Sequence, residues 1–128
     1  MAFELVPELI VEDVSRSVNF YTTVLGFDLE MQAPETGTPT WAQVAKDSVR
    51  FMFQEWNETK HEMPSLAERP KGGITIFVFK LGDKSEVRNF ADKLSQQKVV
   101  LPVRETDYGS VEFGISDPDG YVIIFSGE

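Results

Sequence analysis

Apolar positions recur along this chain in two rhythms, one near 3.6 residues and one of two. The run over residues 3–11, FELVPELIV, suits a strand, with Pro7 favouring an edge or strand-end place. Asp13 then stands as a helix cap. Val14, Val18, Tyr21 and Leu25 follow at helical spacing, and Gly26 occupies the usual C′ place, which predicts a helix over 14–24. Residues 27–31 read as a strand and PETGTPT, 34–40, as a turn-rich loop. Residues 41–45 and 49–56 read as a hairpin around Lys46-Asp47-Ser48. Between 57 and 73 the pattern gives way to NETKHEMPSLAERPKGG, charged and turn-forming, which reads as a linker. Residues 74–80 then return to strand composition, and Asp83-Lys84-Ser85-Glu86 resembles a capping box ahead of a second helix face at Val87, Phe90 and Leu94. A short strand is predicted over 99–103. Val111, Phe113 and Ile115 alternate with Glu112, Gly114 and Ser116, a half-buried strand pattern. The turn Asp117-Pro118-Asp119-Gly120 leads into a last strand over 121–125.

The order strand, helix, strand, strand, strand therefore occurs twice. Asp13 and Asp83 begin the two helices 70 positions apart, and Met52 and Ile124 lie in the two final strands 72 apart, the agreement an internal duplication leaves. The expected fold is α+β, with a first βαβββ module over 1–56, a linker over 57–73 and a second module over 74–128. A ferredoxin-like dimeric barrel of similar length is the competing architecture, and a count of eight strands separates the two.

Composition narrows the chemistry. With 12 Lys and Arg against 21 Asp and Glu, the chain carries a net charge of −9. Such a surface repels phosphate backbones and favours cationic or basic partners, so nucleic acid is not expected. No stretch approaches a membrane span, and the N-terminus lacks a secretory signal, so a soluble cytoplasmic domain is expected. The chain has no cysteine, which excludes disulfides, thiol nucleophiles and thiolate metal sites. Its single histidine, His61, falls in the predicted linker and reads as a solvated residue.

The stretch VEDVSRSVNFYTTVLGF, 11–27, resembles the first-helix signature of the glyoxalase/bleomycin-resistance/dioxygenase, or vicinal oxygen chelate, superfamily, and DPDGY, 117–121, resembles the turn before that family's last strand. The resemblance implies paired βαβββ modules, each curling a mixed sheet into half of a cup, usually in a homodimer with cavities where modules meet. In metalloenzyme members it implies four ligands from the first and last strands of each module. Carried over, those positions fall at Val6, at Met52, at Ile74 (or its neighbours Gly73 and Thr75) and at Ile124. None supplies the nitrogen or carboxylate donors that a divalent metal requires. The resemblance is therefore to the metal-free, bleomycin-resistance-like branch, which sequesters an antibiotic without covalent chemistry. Neither a metal nor another cofactor is expected.

With Met52 facing the cup, strand alternation puts Arg50, Gln54 and Trp56 beside it and turns Phe51 and Phe53 toward the helix. With Val6 inward, Glu8 and Ile10 follow; with Ile124 inward, Val122 and Ser126 join it. The candidate lining set is Val6, Glu8, Trp41, Arg50, Met52, Gln54, Trp56 and Ile124, mostly apolar with a few polar groups, as small-molecule pockets are. A salt bridge between Glu8 and Arg50 is the structural reading of those two charges. Trp41 and Trp56 read equally as interface residues, Glu112 as solvent-facing, and Tyr108 as a turn residue or a lid. The expected function is metal-independent binding of a small molecule, cationic or aromatic in character. Two alternatives stand beside it: a superfamily enzyme of lyase or dioxygenase type, with Glu8 as base if metal-free, and a protein-interaction or dimer scaffold.

Overall fold

The computed structural model describes residues 1–70 and 75–128. The chain divides into two compact units, Met1–Gly72 and Gly73–Glu128.

In the first unit, β1 (Glu8–Val11) leads to α1 (Val14–Asn19), which continues through a π-helical segment, Phe20–Val24. Strands β2 (Asp28–Ala33), β3 (Trp41–Lys46) and β4 (Val49–Glu55) follow, then two short helices, α2 (Trp56–Glu62) and α3 (Pro64–Ala67). The sheet order is β1-β4-β3-β2, with β1 parallel to β4 and the other pairs antiparallel. Asp13 is extended, and its Oδ1 accepts the Arg16 amide at 3.1 Å, satisfying a donor the first helical turn leaves free. Gly26, at φ +78°, ends the helical stretch in the left-handed region where a side chain is disfavoured. The helix lies against β3 and β4. Tyr21, fully buried, sets its ring against those of Phe27, Phe51 and Phe53, with centroids 5.8, 5.4 and 4.9 Å away. Leu9, Val11, Ala42 and Val44 complete this apolar layer.

The second unit repeats the order with β5 (Ile76–Lys80), α4 (Lys84–Lys93), β6 (Val99–Glu105), β7 (Val111–Ser116) and β8 (Val122–Gly127). Its sheet runs β5-β8-β7-β6, again with only the first pair parallel. The Asp83 carboxylate accepts the Glu86 amide at 3.1 Å, while the Glu86 carboxylate accepts the Gly82 amide at 2.9 Å; the return bond thus reaches one residue further back than in a standard capping box. Val87, Ala91 and Leu94 are buried, and α4 packs on β7 and β8, where the Phe90 and Phe125 rings stack at 5.1 Å. In the last turn, Asp117 Oδ1 accepts the amides of Asp119 and Tyr121, both at 2.9 Å, and Gly120 takes φ +91°.

Among the described residues, eight strands in two four-stranded mixed sheets make this an α+β fold of two βαβββ units, and the ferredoxin-like alternative is set aside. Several boundaries differ from the sequence pattern. Residues 3–7 precede β1 instead of belonging to it. Strand β4 stops at Glu55 because that side chain caps α2, accepting the amides of Asn57 and Glu58 at 2.8 and 3.1 Å. The segment read as a linker holds α2 and α3, and β6 extends to Glu105. Ile74 and Gly73 lie outside the described residues. Among the described residues, no helix is long and apolar enough to cross a membrane.

Candidate functional site: the open sheet faces

Strand alternation gives each sheet one face under α1 or α4 and an opposite, more open face, which in the first unit meets α2 at one end. In β4 the side chains buried toward the helix are Phe51 and Phe53, while the half-buried Arg50 and Met52 and the buried Gln54 point the other way. In β3, Ala42 and Val44 are buried, leaving Trp41, Gln43 and Ala45 half-buried on that second face. Register then orders the open face into rows. Glu8, Met52, Gln43 and Met31 lie side by side across the four strands, with Ile10, Gln54, Trp41 and Ala33 in the next row.

The polar groups of this face are tied to one another. Pairing between β2 and β3 skips from Leu29 opposite Val44 to Met31 opposite Gln43, so Glu30 is the extra residue of a bulge. Its Oε1 accepts from Gln43 Nε2 at 2.9 Å and from Arg50 Nε at 3.1 Å. These donors, Gln43 first and Arg50 second, hold the Glu30 carboxyl below the usual carboxylate range. Arg50 Nη1 also lies 3.9 Å from Glu4 Oε1. The expected Glu8–Arg50 bridge is thus replaced by Glu30 and Glu4, because the bulge brings Glu30 to the guanidinium while Glu8 pairs in register with Met52. At the far end, Gln54 is buried: its Nε2 donates to Glu62 at 3.0 Å and its Oε1 accepts the Thr59 hydroxyl at 2.8 Å. Gln54 therefore anchors α2 to the sheet and has both ends of its amide engaged.

The open face of the second unit differs in character. Val78, Ile124, Gly114 and Leu101 form its central row. A Cβ at Gly114 would sit 3.1 Å from Leu101 and 3.3 Å from Ile124, so the two side chains close over the glycine. On β5, Ile76 and Val78 are 55% and 52% exposed. Polar groups gather at one end, where Arg104 Nη2 and the Tyr108 hydroxyl donate to the two oxygens of Glu112 at 2.8 and 3.2 Å. Glu112, read from sequence as solvent-facing, has a side chain only 12% exposed beneath this pair, and it pushes the Arg104 pKa up.

Of the candidate lining residues, Glu8, Trp41, Arg50, Met52 and Gln54 share the open face of the first unit, and Ile124 lies on that of the second. Val6, half-buried, precedes β1, so Glu8 is the direct neighbour of Met52. Trp56 leaves the sheet altogether as the first residue of α2, capped by Glu55. His61 is exposed in the last turn of that helix. Glu30 and Gln43 are the residues that sequence reasoning missed. Glu30 lies inside the strand expected over 27–31, but nothing in that pattern singles it out or reveals its partners.

A divalent metal does not fit the positions its relatives would use. Val6 and Ile124 offer hydrocarbon and Met52 a thioether, none of which serves zinc, nickel or iron(II). Among the described residues, no cluster of three or more His, Cys, Asp or Glu side chains is arranged to hold such an ion.

Paired βαβββ units, each with a helix on one sheet face and a mixed polar and apolar opposite face, define a vicinal-oxygen-chelate-type architecture. The chain belongs to the Glyoxalase/Bleomycin resistance protein/Dioxygenase superfamily, whose sequence profile matches residues 5–125. Among solved structures it is similar to a glyoxalase/bleomycin resistance protein/dioxygenase from Nocardioides, with TM-score 0.79 and 20% identity over 99% of this chain and 83% of that one. It is also similar to TnmS3, an antibiotic binding protein from Streptomyces sp. CB03234, with TM-score 0.73 and 22% identity over 99% and 96% of the two chains. A lactoylglutathione lyase from Agrobacterium tumefaciens gives TM-score 0.76 and 17% identity over 99% and 94%. No protein of curated function matches the sequence.

Proposed function

We propose that this chain is a metal-independent binding protein that sequesters a small molecule on its open sheet faces, acting as a homodimer with the ligand held where the two copies meet. The observation that carries this reading is the donor set: the positions at which metalloenzyme relatives grip an ion hold valine, methionine and isoleucine. The surrounding face supports it, since Trp41, Met52 and Ile10 supply apolar area and Glu8, Glu30 and Arg50 supply a few charges, the balance a ligand pocket needs. Similarity to TnmS3 lends weight to an antibiotic-like aromatic compound, and the net charge of −9 to a cationic one. Sequestration needs no catalytic group, because binding alone lowers the free concentration of the compound.

A thermal-shift screen across divalent metals and cationic aromatic compounds tests the reading. A ligand that binds only the folded state adds about 2.7 kcal/mol of stability at a hundredfold excess over Kd. Expected are a raised Tm with aromatic cations, saturable binding, recovery of the compound unchanged and a dimer mass in solution. Conversion of the compound, or stoichiometric metal in the purified protein, would return the chain to the enzymes.

A further inference from the structure

The charges on the open face of the first unit are coupled, and their coupling bears on the charge of what binds there. A guanidinium on an open sheet face is by default a receptor for carboxylates and other oxyanions, since its planar fork matches them and it cannot deprotonate. Arg50 is not left in that condition. The bulge in β2 delivers Glu30 to its Nε at 3.1 Å, and Glu4 stands 3.9 Å from Nη1. Glu8 adds a third carboxylate one strand away, so negative charge exceeds positive around Arg50. Gln43 grips the same Glu30 oxygen at 2.9 Å, so the carboxylate keeps one donor when Arg50 moves, and Arg50 has Glu4 to turn to.

We propose that Glu30 is a specificity-determining residue that sets the charge preference of this face through Arg50: it cancels the guanidinium as an anion receptor and leaves the face selective for cationic aromatic ligands. The proposal rests on the ligand-binding reading above. Glu30 is a positioning residue, with Gln43 fixing its carboxylate and Arg50 acting as an internal stand-in for the ligand's cation.

The test uses two fluorescent probes with the same flat three-ring frame and opposite charge, 9-aminoacridine as the cation and anthracene-9-carboxylate as the anion. Each is titrated against the full chain and its variants, with circular dichroism confirming the fold. The unaltered chain is expected to bind the cation at least tenfold more tightly than the anion. Glu30→Gln, close in shape but uncharged, is expected to shrink that ratio tenfold or more, partly through a gain in anion affinity. Adding Arg50→Met should erase that gain, and Glu30→Asp should keep the cation preference. Gln43→Leu, which keeps both charges but loosens the carboxylate, should weaken the cation about threefold and carries the test if Glu30→Gln does not fold. A ratio unchanged within twofold in Glu30→Gln and in Gln43→Leu, with the cation still bound, overturns the role of Glu30 and leaves the binding reading standing. Preference for the anion in the unaltered chain also overturns it. Failure of both probes to bind any form removes the proposal and the reading together.

Discussion

Glu30 accepts two hydrogen bonds through one oxygen, and each favours its ionised form. A carboxyl whose folded pKa lies below its unfolded value contributes stability that is complete above the unfolded value and disappears as pH falls through the folded one. An NMR titration of the Glu30 side-chain carboxyl carbon is therefore expected to show its midpoint below the ordinary glutamate range. Gln43 donates one of these bonds, and Arg50 donates the other and adds its charge, so Gln43→Leu and Arg50→Met are each expected to move that midpoint upward. A midpoint unmoved by either change would mean that these contacts do not persist in solution. Met52 and Phe53 make a second contrast at this scale, adjacent in sequence and opposite in face. Phe53→Ala empties a fully buried site among aromatic rings and is expected to cost about 3–5 kcal/mol in urea unfolding. Met52→Ala, half-buried on the open face, is expected to cost less and to alter probe binding instead.

Helix caps and strand ends fix the elements that carry these residues. Asp13→Ala removes the cap of α1 and is expected to lower stability by about 1 kcal/mol, read as a reduced urea midpoint with an unchanged slope. Gly127 closes β8 where the strand passes beneath the start of α4, and a Cβ there would collide with the backbone of Asp83 and with Val87 Cγ2. Because backbone cannot rotate away, Gly127→Ala is expected to cost about 1–3 kcal/mol, the range of an overpacked site. Gly120→Ala meets no neighbour, and its cost comes from φ +91° alone. Elements of this kind were legible in the sequence because their signals are local: a cap three residues from its amide, a glycine past a helix, alternation within one strand. The alternation that separates Met52 from Phe53 and Ile124 from Phe125 needed nothing beyond five consecutive residues. What escaped depends on distant partners. A bulge is a property of two strands, so the junction of Glu30 with Gln43 and Arg50, 13 and 20 positions away, left no pattern of its own. Trp56 was misplaced because a strand and a capped helix share the same apolar residue at their junction, and Glu55 with Glu58 decides in favour of the helix.

Across the molecule, the two units share an element order and diverge in what their open faces present. The helix-facing layers are alike, built from phenylalanine, tyrosine, valine, leucine and alanine in both, with Ile115 and Ile123 added in the second. The opposite faces are not: Glu8, Met52 and Gln43 in the first unit stand where Val78, Ile124 and Gly114 stand in the second. The repeat over 70 to 72 positions is thus one of element order and of an apolar helix-facing layer. Since neighbouring strand residues serve opposite layers, the chain interleaves two texts, one dictating that it folds and the other what it recognises. Each is editable with little disturbance to its companion. A library randomised only at positions 8, 10, 41, 43, 50 and 52 is then expected to yield mostly folded proteins of altered taste, so that new receptors are reachable by short mutational walks.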